Sequence, residues 1–297
     1  MFSCTTATSP RSTKVRRARL LLAATAIGAT ALSTPGAASA APAGPSSPVP
    51  TSSPVSFSSA DAHSMGSTVA AREGASTTAS VTAGTIPAGV PGLDVSRWQG
   101  NVDWTGARAD GARFAYVKAT ESTSYTNPYF KQQYNGSYAS GMIRGAYHFA
   151  LPDRSSGTAQ ADWFVSHGGG WSPDGRTLPP LLDIEYNPYG STCYGLTPTQ
   201  MVSWIRSFSS RVKVRTGRYP AIYTTTSWWA QCTANNSSFA ATHPLFIARY
   251  ASTVGTLPAG WTRYTFWQYA DAGRFPGDQD TFNGSMTRLR ALARGQR

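Results

Sequence analysis

The chain has 297 residues, 40% hydrophobic and 13% charged, with a formal net charge of +12. Its three cysteines and four histidines form no cluster at metal-ligand spacing, so no metal and no cofactor is expected. The basic residues are scattered, with one loose cluster at Arg211, Lys213, Arg215 and Arg218; no Lys/Arg run interleaves with aromatics as a nucleic-acid groove requires.

Residues 1–40 read as a secretory signal peptide. Lys14, Arg16, Arg17 and Arg19 form the basic region, "LLLAATAIGATAL" is the apolar stretch, and "ASA" at 38–40 places cleavage near Ala40. The apolar stretch is too short and too rich in alanine to span a membrane. Residues 41–88 are rich in Ala, Ser, Thr, Pro and Gly. They are expected to be a disordered linker or propeptide, since such a stretch buries too little apolar surface to offset its chain entropy. The folded domain is expected over 89–297. It carries 20 Lys and Arg against 12 Asp and Glu. That mild positive field suits an anionic polymer outside the cell, such as a cell wall, and suits a solubilising surface equally well.

In chain order, "GLDVSRWQG" (92–100) reads as a strand ending in a turn. "DWTGARADG" is a short helix closed by Gly111, and "RFAYVKAT" a strand. "NPYFKQQYNGSYASG" is a helix with Asn127 as cap and Pro128 behind it. "IRGAYHFA" is a strand, "TAQADWFVSHGG" a helix, "LPPLLDIEY" a strand. "TPTQMVSWIRSFSSRV" is a helix capped by Thr197, with Val202, Ile205 and Phe208 at helical spacing. "PAIYTT", "PLFIARY" and "RYTFWQYA" are strands, "SWWAQC" a short helix, and "SMTRLRALARG" the closing helix. Seven or eight buried strands mostly separated by helices imply parallel βαβ units. No Gly-rich phosphate loop follows the first strand. A closed barrel better explains why charged and aromatic residues gather at strand C-terminal ends.

In "PPLLDIEYNP" (179–188), Asp183 and Glu185 stand at i and i+2. On a strand they project to one face, with Ile184 turned to the other. Asp94, Glu121 and Asp278 arrive at the same rim from other segments. Trp98, Tyr147, Tyr186, Tyr223, Trp267 and Tyr269 lie nearby. Crowded carboxylates beside aromatic faces point to cleavage of a glycosidic bond. In Tyr147/His148 and in Trp267/Gln268, alternation allows only one of each pair to line the groove. Cys193 and Cys232 follow neighbouring strands on one rim, and a disulfide between them is expected.

The motifs "GLDVSRWQG", "YVKATES", "SYTNPYF", "GAYHFA", "LLDIEY", "PLFIARY", "FWQYA" and "DQDTFNG" resemble, in order and spacing, glycoside hydrolase family 25, the Chalaropsis-type lysozymes. The resemblance covers 89–297. It implies an α/β fold, a modified (β/α) TIM-like barrel irregular in its last strands. It implies an N-acetylmuramidase acting on peptidoglycan glycan strands, with Glu185 as general acid, Asp183 as its partner, and Asp94 and Asp278 as outer carboxylates. Glu121, Tyr147, His148, Tyr186, Tyr223, Trp267 and Gln268 are the expected substrate-binding residues. Asp280 stands where the family often has asparagine. A secreted monomer with neither membrane nor nucleic acid as partner is expected. The rival readings are a chitinase-like hydrolase and a glycan-binding protein without activity.

Overall fold

The computed structural model describes residues 63–74 and 86–296, and both stretches fall in one compact unit. The expected signal peptide and most of the expected linker lie outside the described residues. The expectation of disorder throughout 41–88 does not hold for His63–Gly74. This stretch contains a short helix, α1 (Val69–Glu73), and buries Met65 and Val69 against the barrel.

The barrel begins with β1 (Val90–Val95) and a single 3-10 turn, Arg97–Gln99. There follow α2 (Trp104–Ala109), β2 (Phe114–Glu121), the two-residue β3 (Tyr125–Thr126), α3 (Phe130–Ala139), β4 (Ile143–Phe149) and α4 (Gly157–Ser166). The second half runs β5 (Leu181–Asp183), α5 (Pro198–Thr216), β6 (Ala221–Thr224), α6 (Thr226–Thr233), β7 (Leu245–Ala248), β8 (Phe266–Ala270), β9 (Asp278–Phe282) and α7 (Met286–Ala293). Neighbours pair in the order β1-β9-β8-β7-β6-β5-β4-β2, with β3 added outside β2, and a β1–β2 pairing closes the ring.

Local chemistry sets most boundaries. Thr197 and Gln200 form a reciprocal capping box with Pro198 at the first helical position of α5. Asp103, Ser156, Thr225 and Ser285 cap α2, α4, α6 and α7 with their side chains. Asn127 is not the cap of α3, which starts at Phe130. Its amide donates to the Lys118 carbonyl and to Gln133, and its Oδ1 accepts from the Tyr129 N–H. It therefore pins the loop rather than opening the helix.

The strands are buried on both faces, as parallel strands under helices must be. Phe114, Tyr116, Tyr147, Leu181, Tyr223, Phe246, Phe266 and Phe282 fill the interior. Leu182, Ile184, Ile222 and Ile247 join an outer cluster with Phe164, Ile205 and Phe208 of the helices. Each fully buried side chain of this size contributes about 1.5–3 kcal/mol. Gly145 gives the interior room, because a Cβ there would come within 2.4 Å of the Tyr116 ring.

One late element differs from the sequence expectation. β9 was not foreseen: "DQDTF" forms a strand antiparallel to both β1 and β8, and this closes the barrel. Among the described residues no helix separates β7 from β8, so the last strands are irregular as the family resemblance implied. Cys193 and Cys232 are bonded across the loop after β5 and helix α6, with Cα atoms 5.3 Å apart. Among the described residues no helix is long and apolar enough to cross a membrane.

Candidate active site

β5 is shorter than expected and ends at Asp183. The chain stays extended one step further, where the Ile184 N–H donates to the Tyr223 carbonyl at 3.0 Å. Ile184 turns into the outer cluster. Asp183 and Glu185 are turned away from that layer, each only 1% exposed.

Burial pushes the Glu185 carboxyl up to about 7, against hydrogen bonds from the Gly66 N–H and the Thr68 hydroxyl and the pull of Lys118. Burial, reinforced by the charge of Glu185, holds Asp183 well above the carboxylate range. Neither oxygen of Asp183 has a hydrogen-bond partner among the described residues. Two acids so placed compete for ionisation, and the interior favours their neutral forms.

Asp94 and Asp278 complete the group. They are paired opposite one another between β1 and β9. The Gln268 amide donates to Oδ2 of Asp94 at 2.8 Å and to Oδ2 of Asp278 at 3.0 Å. Its oxygen accepts from the hydroxyls of Tyr223, at 2.6 Å, and Tyr250, at 3.0 Å. Burial raises Asp94 to about 8, and burial together with the charge of Asp94 raises Asp278 well above its ordinary value. Asp280, two residues on, lies opposite Gln268 and Gly92. It is fully buried, and its oxygens have no partner among the described residues.

Lys118 supplies a positive charge beside Asp183 and Glu185. Lys118 is fully buried and bonds Oε2 of Glu121 at 2.5 Å. A register shift between Lys118 and Thr120 explains how residues three apart on a strand meet on one side. The Tyr189 hydroxyl donates to the other oxygen of Glu121 at 2.6 Å.

Alternation resolves the two open pairs. Tyr147 faces inward, where its hydroxyl accepts from the Met65 N–H at 3.3 Å. His148, expected as a sugar contact, instead faces the helices. It bonds Thr120 at 2.8 Å and Gln160 at 2.9 Å and stacks on Phe208. Burial lowers its pKa to about 3, so the ring is neutral. Gln268 faces inward, and Trp267, also expected as a sugar contact, faces outward. The Trp267 indole donates to the Arg249 carbonyl at 2.8 Å, and the ring packs beside Tyr264 and Tyr269. Tyr223 lies inside and Tyr186 on the rim, its hydroxyl donating to Glu73 at 2.8 Å. Trp98, on the turn after β1, is 58% exposed with the Arg97 guanidinium over its ring.

Lys118, Tyr189 and Tyr250 were not singled out from the sequence. A lone lysine alternating with Phe114 and Tyr116 was a usable signal, because an unpaired lysine is almost never fully buried.

A closed β/α barrel whose carboxyl rim gathers buried acids between tyrosines defines the architecture of a glycoside hydrolase. The profile of Glycosyl hydrolases family 25 matches residues 93–278, and the chain belongs to that family. It is 52% identical over 210 residues to Lysozyme M1 of Streptomyces globisporus, covering 69% of this chain and 71% of that protein. It is 51% identical over 210 residues to the N,O-diacetylmuramidase of Chalaropsis sp, covering 69% of this chain and 100% of that protein. Its fold matches the crystal structure of the bacterial lysozyme from Streptomyces coelicolor with a TM-score of 0.69 and 50% identity, covering 71% of this chain and 100% of that one.

Proposed function

We propose that this chain is a secreted muramidase that hydrolyses the β-1,4 bond between N-acetylmuramic acid and N-acetylglucosamine in peptidoglycan. Relatives at about half identity named lysozyme and N,O-diacetylmuramidase support the substrate. The observation that carries the chemistry is the pair at the end of β5. Glu185 holds its proton up to about pH 7, as a group that must protonate a leaving oxygen requires.

Asp183 sits beside it on the same segment with two buried, unpartnered oxygens. An acetamido N–H of the substrate satisfies one of them. Both acids lie on one side of the bound sugar, whereas direct displacement needs acid and nucleophile on opposite faces. This favours attack by the substrate's own acetamido oxygen, with Asp183 orienting that group and Glu185 protonating the leaving oxygen. Lys118 moderates the charge of both. Asp94, Asp278 and Gln268 form the wall beneath.

The test is release of reducing ends from purified bacterial walls and, in parallel, from chitin oligomers, using the chain from Ile86 onward and its Glu185→Gln form. Preferential release from walls, abolished by the substitution, is expected. Preferential release from chitin, or release that survives the substitution, overturns the reading.

A further inference from the structure

The segment ahead of the barrel has no part in the chemistry just described, yet its contacts fall on the candidate active site. The Gly66 N–H donates to Oε1 of Glu185 at 2.7 Å, and the Thr68 hydroxyl donates to Oε2 at 3.0 Å. Both oxygens of the proposed acid are thereby engaged. The Met65 N–H bonds the Tyr147 hydroxyl, the Tyr250 hydroxyl donates to the Gly66 carbonyl at 3.1 Å, and Lys118 donates to the His63 carbonyl. Glu73 holds the Tyr186 hydroxyl, and His63 meets the edge of Tyr189 at 5.0 Å.

The fit is apolar as well as polar. Met65 is fully buried and Val69 nearly so, and both join the interior cluster with Tyr147, Tyr223 and Tyr250. Gly66 is fixed by its surroundings. Its φ is +81°, and a Cβ there would come within 2.3 Å of Gln268 and 2.4 Å of the Tyr250 hydroxyl. Glycine satisfies both constraints. A peptide that fills the space in front of Glu185 and a glycan strand that must reach Glu185 exclude one another.

We infer that residues 63–74 are a tethered inhibitor of the active site, and that the chain carrying them is a zymogen. The contact stands on geometry alone; its consequence for turnover rests on the muramidase reading. Eleven residues, 75–85, join the segment to the barrel, all of them Ala, Ser, Thr, Gly or Val. A tether of this length presents its end at an effective concentration in the millimolar range, so even a weak peptide contact stays closed. Hydrolysis of one peptide bond in the tether adds one water and leaves a carboxylate and an ammonium. It turns closure into a bimolecular event, and at enzyme concentrations far below millimolar the segment leaves. With no Lys, Arg or aromatic residue among the eleven, the activating protease must accept small side chains.

The barrel can be tested by itself, because relatives matched end to end consist of the barrel alone. Turnover of a soluble wall fragment is measured for chain 41–297, for chain 86–297, and for Gly66→Val in 41–297. The shorter chain is expected to be roughly 10- to 100-fold faster than 41–297. Gly66→Val should approach it, since valine cannot enter the site and the barrel is untouched. A labelled peptide of sequence 63–74 should bind 86–297 and raise KM without changing kcat. Equal turnover of 41–297 and 86–297, both active, overturns the inhibitor. Should neither chain cut, the muramidase reading fails and peptide binding decides: association with 86–297 sustains the contact, and none at about 1 mM overturns it.

Discussion

Asp94 and Asp278 face one another across the β1–β9 pairing, and a single Gln268 amide donates to an oxygen of each. Two buried carboxyls this close do not both ionise near neutrality. Asp94 is protonated in the fold up to about pH 8 and in the unfolded chain only to about 3.8. The native state therefore binds more protons across that window, and stability falls as pH rises through it. Asp94→Asn mimics the neutral form. It should leave the melting temperature near that of the native chain at pH 4 and raise it at pH 8.5 by a few degrees, roughly 2–4 °C per kcal/mol for a domain of this size. Thermal unfolding of both proteins at the two pH values checks this. A variant as pH-sensitive as the parent would argue against the shared proton.

Glu185 must carry its proton to work as an acid, so turnover of the chain from Ile86 should fall on an alkaline limb as Glu185 ionises; the value of about 7 holds with the Gly66 and Thr68 contacts in place. Glu185→Gln should lose roughly 10²–10⁴ in rate and lose that alkaline limb. Lys118 lowers the pKa of both Glu185 and Asp183, so Lys118→Met should move the limb to higher pH. It should also destabilise the fold, by about 3–5 kcal/mol, because Glu121 is left without its buried partner. A pH–rate profile alongside denaturant unfolding separates the two effects. An alkaline limb that stays in place in Lys118→Met would remove Lys118 from the electrostatics of the site.

The placement of Asp183 and Glu185 on one segment predicts the stereochemistry. The product should retain the β-anomer, with no covalent bond to the enzyme. NMR of the first-formed product reads the anomer. A stable thiazoline mimic of the cyclised sugar should inhibit, and Asp183→Asn should be impaired. Inverted product, or a trapped glycosyl ester on Asp183, Asp94 or Asp278, would rule the mechanism out and leave the family unchanged.

The Cys193–Cys232 bridge spans 39 residues and should contribute roughly 3–4 kcal/mol by restricting the unfolded chain. Chain 41–297 should show no free thiol by alkylation and intact mass, and reduction should lower its melting temperature. Full alkylation without reductant would exclude the bridge.

The alternation of "LLDIEY" was enough to place Asp183 and Glu185 together and to turn Ile184 outward. It was not enough for Tyr147/His148 or Trp267/Gln268. These strands are covered on both faces, so each flanking residue is apolar whichever way it points. The pairing of Lys118 with Glu121 depends on a shift in register that has no composition signal. β9 was hidden because "DQDTF" is acid-rich and follows a loop, where a buried strand is not expected. The inhibitory segment was obscured by its neighbours. Only Met65 and Val69 (four apart) mark it, within a run otherwise read as low complexity.

The antiparallel course of β9 leaves the molecule with a working end and a handle. Its first residue, Asp278, is at the rim, and the strand then carries the chain away, about 17 Å in five residues, so that α7 starts at the opposite end. Leu289 and Ala293 pack into the interior cluster beside Val90 and Phe282. A bead, dye or wall-anchoring module joined after α7 therefore stands clear of the approaching glycan. The same cargo joined ahead of residue 63 would hang beside the mouth of the barrel. Immobilisation through the C-terminal end should leave every molecule facing outward with its entrance open.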